Sequence, residues 1–455
     1  MTPTVSSLTA SSSASGATRP SVVPPSIWCG DVELAGTAAV PPGPLFVSDG
    51  RACETARILV RLHGEPLGLV TLPLADGVLD PAELYRKTMR SFAARIAIHL
   101  NGDGLEMVDE LGPDAIPERG AVLGCPCGVT DPTPVSVVVC TRNRPEQIRT
   151  CLAGLRSLPH PRLEVIIVDN APSDDSTRRV FDEMVGGVPS FRYVREDRPG
   201  LSRARNRGMR EASHDIVAFT DDDVCVDSDW IAGLLRGFRA AVGVACVTGL
   251  VATATLETAA EHYFDAKIGW LDSFSRRVYD MGGHRPAHPL YPYSAGRFGT
   301  GANFAVRASV MRSLGGFDEA LGVGTPTDGG EDLDAFVRVL LAGHVLAYEP
   351  SALVWHRHRS DLDGLRKQMW GYGKGLTGYL AKHLADPHSR SDILRRVPHG
   401  LWFIGRIAVS TRESYGPQYQ MPRGLIAREW AGMALGPLRY RQAMRMVDRA
   451  DRADS

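Results

Sequence analysis

No stretch of the 455 residues reaches the roughly 18 uninterrupted apolar positions that a membrane-spanning helix needs. The best candidate, Leu401 to Ser410, is short and carries Arg406. The N-terminus lacks the apolar h-region of a secretory signal, and a Ser/Thr/Ala/Pro tract stands in its place. An excess of one charge is missing too. The 51 Lys and Arg against 52 Asp and Glu leave a formal net charge of −1, so no polycation points to nucleic acid. Cysteine is sparse: 8 residues, all within the first 246. Cys125-Pro126-Cys127 is too tightly spaced for a zinc knuckle, and no second pair completes one. The thiols are expected to be reduced and the protein cytoplasmic, soluble or at most peripheral at the inner membrane face.

What is present is ordinary globular composition, 44% hydrophobic and 23% charged with 47 Gly and 31 Pro. That excludes collagen-like, mucin-like and wholly disordered chains, and the length supports two or three domains. The charge is uneven. Residues 351–455 hold 18 Lys and Arg against 9 Asp and Glu, so this stretch is +9 and the remainder −10. Such a tail suits an anionic surface, and it equally suits a solvated helical face.

Residues 1–28 are polar and Pro-punctuated, and disorder is expected there. Between Ala56 and Leu74 two apolar runs flank His63-Gly64-Glu65-Pro66, which reads as a hairpin. Asp80-Pro81 then opens a helix that runs to about Leu100. Residues 45–110 thus form a small α+β domain, and 111–134 read as a linker.

The pattern changes at Val135. Strands Val135–Cys140, Glu164–Asp169, Phe191–Val194 and Asp215–Phe219 alternate with helices, each strand a near-continuous apolar run. That is the signature of a parallel sheet covered on both faces, and ligands of such sheets sit at the carboxyl ends of the strands. Thr141-Arg142-Asn143-Arg144 follows the first strand, Asp169-Asn170 the second, and Asp221-Asp222-Asp223 the fourth. Three consecutive carboxylates repel one another unless a cation or a set of donors offsets them. A divalent metal bridging to phosphates is the natural partner.

These motifs, in this order, resemble the family 2 glycosyltransferases and their GT-A fold. Val135-Ser-Val-Val-Val-Cys-Thr-Arg-Asn-Arg144 is similar to that family's first strand and base-contacting loop. Val165-Ile-Ile-Val-Asp169 resembles the strand whose terminal Asp meets the nucleobase, and Gly200-Leu-Ser-Arg-Ala-Arg-Asn-Arg-Gly208 the donor-side helix. Asp221-Asp222-Asp223 fits the Asp-x-Asp motif, and Gly330-Glu-Asp-Leu-Asp334 the motif that supplies the catalytic base. Gly299-Thr-Gly-Ala-Asn303 and Leu314-Gly-Gly-Phe-Asp318 resemble loops lining the transfer site.

The resemblance implies a mostly parallel GT-A sheet flanked by helices over 135–358, with a basic helical extension over 359–455. It implies Asp332 as catalytic base. Donor contacts would come from Thr141, Arg142, Asn143, Asp169, Arg205, Asp221 and Asp222. A divalent metal, Mn2+ or Mg2+, would be held by Asp221, Asp223 and His356. The partners implied are a nucleotide-sugar donor and a glycan- or lipid-linked acceptor, with no nucleic acid and with peripheral membrane contact through the C-terminal helices. The reaction implied is inverting transfer. Two departures lie on the donor side: Asn170 stands where the family often has a second acidic residue, and Arg142 where many members carry Tyr. The Gln-x-x-Arg-Trp motif of processive synthases is absent, so single additions are expected.

The residues by themselves leave other readings open. Glu331, Asp332 and Asp334 suit helix caps, and Arg205 suits a helix-surface charge among its neighbours. The Gly-rich stretch from Gly322 to Gly330 reads as a lid or as a plain connection. The aromatic residues of 262–298 suit either a core or a sugar-binding face. A sugar-phosphate nucleotidyltransferase uses a similar sheet, but its Gly-rich phosphate loop is not found after the first strand. A non-catalytic scaffold would not need Asp221, Asp223 and Asp332 together.

Overall fold

A small sheet comes first along the chain. Strand β1 (Ile27–Glu33) pairs in parallel with β2 (Thr55–Leu62), which pairs antiparallel with β3 (Glu65–Pro73). The β2–β3 turn is His63-Gly64, both at positive φ (52° and 82°), as a two-residue hairpin turn of this hand requires. Helix α1 (Pro81–Gly102) follows, its first turn capped by Asp80, which accepts from the Ala82 amide at 2.9 Å. In the computed structural model the described residues are 24–36, 40–119, 131–269, 273–416 and 419–453. The tract expected to be disordered lies almost wholly outside them, as do Cys125 and Cys127. Strand β1 is an addition to the expected small domain, and it begins before residue 45.

The larger sheet is laid down by β4 (Val135–Thr141), α2 (Pro145–Arg156), β5 (Leu163–Asn170), α3 (Ser176–Val185), β6 (Phe191–Glu196), α4 (Leu201–Glu211) and β7 (Ile216–Asp221). Strands β7, β4, β5 and β6 are adjacent in that order and all parallel. Both faces are buried, as the apolar runs anticipated. Val135, Val137 and Val139 enter one core with Ile148 and Leu152 of α2, while Val138 enters the other with Ala204 and Met209 of α4. Each of these Val, Ile, Leu and Met side chains stabilises by about 1.5–3 kcal/mol.

Beyond β7 the pairing is mixed. After β8 (Val224–Val226) and α5 (Trp230–Phe238) come β9 (Val244–Thr253), α6 (Ala259–Ile268), β10 (Arg277–Tyr279), β11 (Asn303–Arg307) and α7 (Ala308–Ser313). Helix α8 (Glu331–Leu341) and β12 (Val345–His356) complete the sheet. Strand β11 is antiparallel to β7 and β9, whereas β12 runs parallel to β9 and antiparallel to β10. The parallel character is therefore confined to part of the sheet. β8 pairs antiparallel with the end of β12, Val224 opposite His356, and this brings Asp223 beside that histidine.

Three long helices follow: α9 (Leu362–Ala385), α10 (Pro387–Tyr415) and α11 (Leu425–Ala453). Gly371, Gly373, Gly375 and Gly436-Pro437 read from sequence as breaks between helices, yet all lie inside α9 and α11. Their function is close packing. A Cβ on Gly373 would lie 2.1 Å from the Glu429 carbonyl, and one on Gly436 2.0 Å from the Thr377 hydroxyl. No helix among the described residues is long and apolar enough to cross a membrane.

Candidate functional site

The parallel register aligns the polar strand ends. Thr141 lies opposite Asp169 across β4–β5, and Cys140 opposite Asp221 across β4–β7. Thr141 donates to Asp222 at 2.7 Å, and Arg144 donates to Asp222 at 2.6 Å and to Asp223 at 3.2 Å. His356 Nε2 stands 3.5 Å from Asp223, and its Nδ1 is 3.2 Å from Nδ1 of His358. Burial lowers His356 below the ordinary imidazole range against the pull of Asp223, so its neutral, ligating form is favoured.

Arg205 is no surface residue. It is buried in α4 under the rings of Phe304 and Phe317, donates to Glu331 at 2.8 Å and to the Gly301 carbonyl at 3.0 Å, and lies 3.6 Å from Asp221. Burial raises the pKa of Glu331, with Asp332 adding to the shift and Arg205 opposing it. Asp221 is raised likewise by burial and by Asp223 and Asp222, again against Arg205. Asp222 is raised chiefly by burial, with Arg144 opposing. Asp332 accepts from the Gly301 amide at 2.7 Å and from the Leu333 amide at 2.8 Å, so its carboxylate is oriented across the gap between α8 and the β11 approach. A cavity of about 190 Å³, lined in part by Arg277, Arg297, Gly299 and Thr300, opens beside that approach.

The remaining residues divide. Asp169 is buried and accepts from Tyr193 at 2.7 Å, with a pKa raised chiefly by that burial. Arg142 is exposed beside the Thr141 strand end, and Asn143, at φ 54°, accepts from the Ser173 amide at 2.9 Å. Asn170 spans the next loop by bonding the Arg198 carbonyl at 2.8 Å and the Gly200 amide at 2.9 Å. Asp334 does not cap α8. It is fully buried on the far side, bound by Arg338 at 2.7 Å and Lys382 at 2.8 Å. Asn303 is likewise structural, accepting from Trp230 at 2.8 Å and donating to the carbonyls of Leu250 and Ala352. The Gly322–Gly330 stretch is fastened to α9: Lys374 pairs with Asp328, and a Cβ on Gly330 would lie 2.5 Å from the Gly375 carbonyl. Tyr263, Phe264, Tyr279, Tyr291 and Phe298 are core, and Trp270 lies outside the described residues.

Sequence reasoning gave Arg144 no role of its own, and it named Arg205 and Glu331 without pairing them. A signal for Arg144 existed: a cation is unfavourable at the N-terminus of a helix, so an arginine just before Pro145 implies acidic partners elsewhere.

Comparisons with known proteins complete the description. The family model for glycosyl transferase family 2 matches residues 136–313. Succinoglycan biosynthesis protein ExoM of Rhizobium meliloti is 30% identical over 255 residues, 54% of this chain and 75% of that protein. The chain belongs to glycosyltransferase family 2. A pre-mycofactocin glycosyltransferase of Mycobacterium tuberculosis is 31% identical over 256 residues, 56% of this chain; the match spans about half, 48%, of that relative. Among solved structures, a mannosyltransferase of Pyrobaculum calidifontis aligns with 77% of this chain and 96% of its own at 18% identity, with a TM-score of 0.45.

Proposed function

We propose that this family 2 glycosyltransferase moves a sugar from a nucleoside-diphosphate donor to a hydroxyl acceptor, by single additions and with inversion at the anomeric carbon. The observation that carries the reading is the charge imbalance at the carboxyl edge of the parallel strands. Asp221, Asp222, Asp223, Glu331 and Asp332 gather there around Arg144 and Arg205. The excess negative charge suits a divalent cation, Mn2+ or Mg2+, with Asp221, Asp223 and His356 as its holders. When bound, the ion would stabilise charge on the leaving diphosphate.

The protein's own groups supply the rest. Asp332, held by two backbone amides, accepts the proton of the attacking hydroxyl. Arg205 positions the N-terminus of α8 against the approach to β11 by bridging Glu331 and the Gly301 carbonyl. Thr141, Arg142, Asn143 and Asp169 line the donor side at the ends of β4 and β5, and Thr141 with Arg144 fixes Asp222. The acceptor class is glycan- or lipid-linked. Exposed Leu394, Leu401, Trp402 and Val409 on α10, beside Arg395 and Arg406, suit peripheral contact with an anionic membrane.

Thermal stability with UDP, GDP, dTDP or CMP, each with Mn2+ or EDTA, tests the proposal. A ligand at ~100 times its Kd adds about 2.7 kcal/mol. The expected shift needs metal and vanishes in Asp223→Asn. Asp332→Asn keeps the shift and loses transfer by roughly 10²–10⁴-fold. No shift with any nucleotide, or one that survives both EDTA and Asp223→Asn, overturns the reading.

A further inference from the structure

The β2–β3 turn and the end of α1 bring three side chains to one point far along the chain from the Asp221 corner. His63 Nδ1 lies 2.8 Å from Asp103 Oδ2 and 3.1 Å from His99 Nε2, and the last two atoms are 3.2 Å apart. Among the described residues this is the one group of three His, Cys, Asp or Glu whose ligand atoms all lie within 4.8 Å of one another. It is enclosed: His63 is 1% exposed, and the His99 and Asp103 side chains 9% and 3%.

The outer contacts decide which ring nitrogens face inward. His63 Nε2 is 2.9 Å from the Pro117 carbonyl, an acceptor only, so that nitrogen carries the proton and donates. His99 Nδ1 is 2.9 Å from the Glu65 carboxylate, an acceptor, so Nδ1 carries the second ring's proton. The inward atoms, His63 Nδ1, His99 Nε2 and Asp103 Oδ2, are then three acceptors closing on one another. A positive centre must offset them: either one extra proton or a metal ion. The triangle has the size of a hydrogen-bonded cluster and would admit a metal after a small expansion. Ligands of a tetrahedral zinc at about 2.0–2.1 Å stand roughly 3.3 Å apart, a few tenths of an ångström wider than these edges. Outward ring N–H groups held by a carbonyl and a carboxylate are the usual outer shell of metal-bound histidines.

The backbone is built for the same purpose. His63 occupies a positive-φ position that Asn or Gly fills most easily. Both carboxylate oxygens of Glu33 accept from the turn, from the His63 and Gly64 amides at 2.8 Å each. We infer that His63, His99 and Asp103 form a binding site for a divalent transition metal of the zinc type, with one position left for water. Such an ion ties the hairpin turn to α1 and, through the Pro117 carbonyl, to the segment beyond it. The neighbouring Arg61 and Arg119 pair with Asp227 at 2.7 Å and Asp229 at 2.7 Å, so the clasp braces the chain that follows Asp223.

The test uses the untagged full chain with Asp223→Asn as background, so that metal at the Asp221 corner does not count. After loading with Zn2+ and dialysis, bound zinc is measured by elemental analysis, and a Co2+-loaded sample is examined by visible absorption. One retained equivalent, a four-coordinate Co2+ spectrum, and loss of both in His99→Gln are expected. Glu65→Gln leaves all three ligands and should weaken zinc affinity about 10–100-fold, which guards against a His99→Gln chain that fails to fold. Zinc absent from the background chain, or unchanged by both His99→Gln and Glu65→Gln, overturns the site and leaves the extra proton as the positive centre.

Discussion

Replacing Arg205 by Met keeps an unbranched buried side chain and removes the charge that Glu331 and Asp221 face. The pair is enclosed, with the Arg205 and Glu331 side chains 3% and 6% exposed and 2.8 Å apart. Taking one partner from a buried pair costs about 3–5 kcal/mol, because the other is left uncompensated. If residues 135–358 melt as one unit, an unfolding entropy of about 2.1 cal/mol/K per residue turns that into a loss of roughly 6–11 °C. The pH dependence sharpens the test. Glu331 and Asp221 are already raised in the folded protein, by burial first and against the pull of Arg205. Raised carboxylates give full stability below their unfolded values near about 4, and that stability is lost as the pH rises through the folded values. Without Arg205 the folded values rise further. The variant's deficit should therefore be largest near pH 8 and shrink toward pH 5, as read by differential scanning calorimetry across that range. A variant as stable as the parent at pH 8, or a deficit that does not move with pH, would refute the reasoning.

Asp334→Asn should show the opposite slope. Burial by itself would raise the pKa of Asp334, but Arg338, His383 and Lys382 hold it well below the usual carboxylate range. Its stability is present above about pH 4 and is lost as the pH falls through the folded value, so the variant should be about 3–5 kcal/mol weaker at pH 7. The gap should close in acid; calorimetry showing an equal gap at pH 7 and pH 3 would count against the pair. The α10 surface predicts sedimentation with vesicles containing phosphatidylglycerol at low salt, weakened by Leu401→Glu with Trp402→Glu. Binding that is absent, or indifferent to those changes, removes the membrane contact.

Much of the architecture was legible in the chain because it depends on local periodicity. The Val135–Thr141 run, the hairpin about His63-Gly64 and the Asp80-Pro81 helix start declare themselves through neighbours a few residues away, and they appear where the pattern puts them. The order of polar residues at strand ends was legible for the same reason, since a parallel strand must deliver its last residue to the ligand edge. What no local pattern could specify was which of several like groups meets which. Glu331, Asp332 and Asp334 share one turn of α8, yet one pairs with Arg205, one bonds the Gly301 amide and one is buried against α9, because the helix turns about 100° per residue. The glycines of α9 look like breaks until α11 lies against Gly373, and the Gly329–Gly330 turn against Gly375, at distances that admit no Cβ. His99 and Asp103 lie one helical turn apart, but His63 is 36 residues before His99, and only the closure of α1 against the hairpin turn brings it to them. Composition and spacing determined the elements and their polar ends; the packing of those elements decided which charges are paired, which are left facing one another, and so where chemistry can occur.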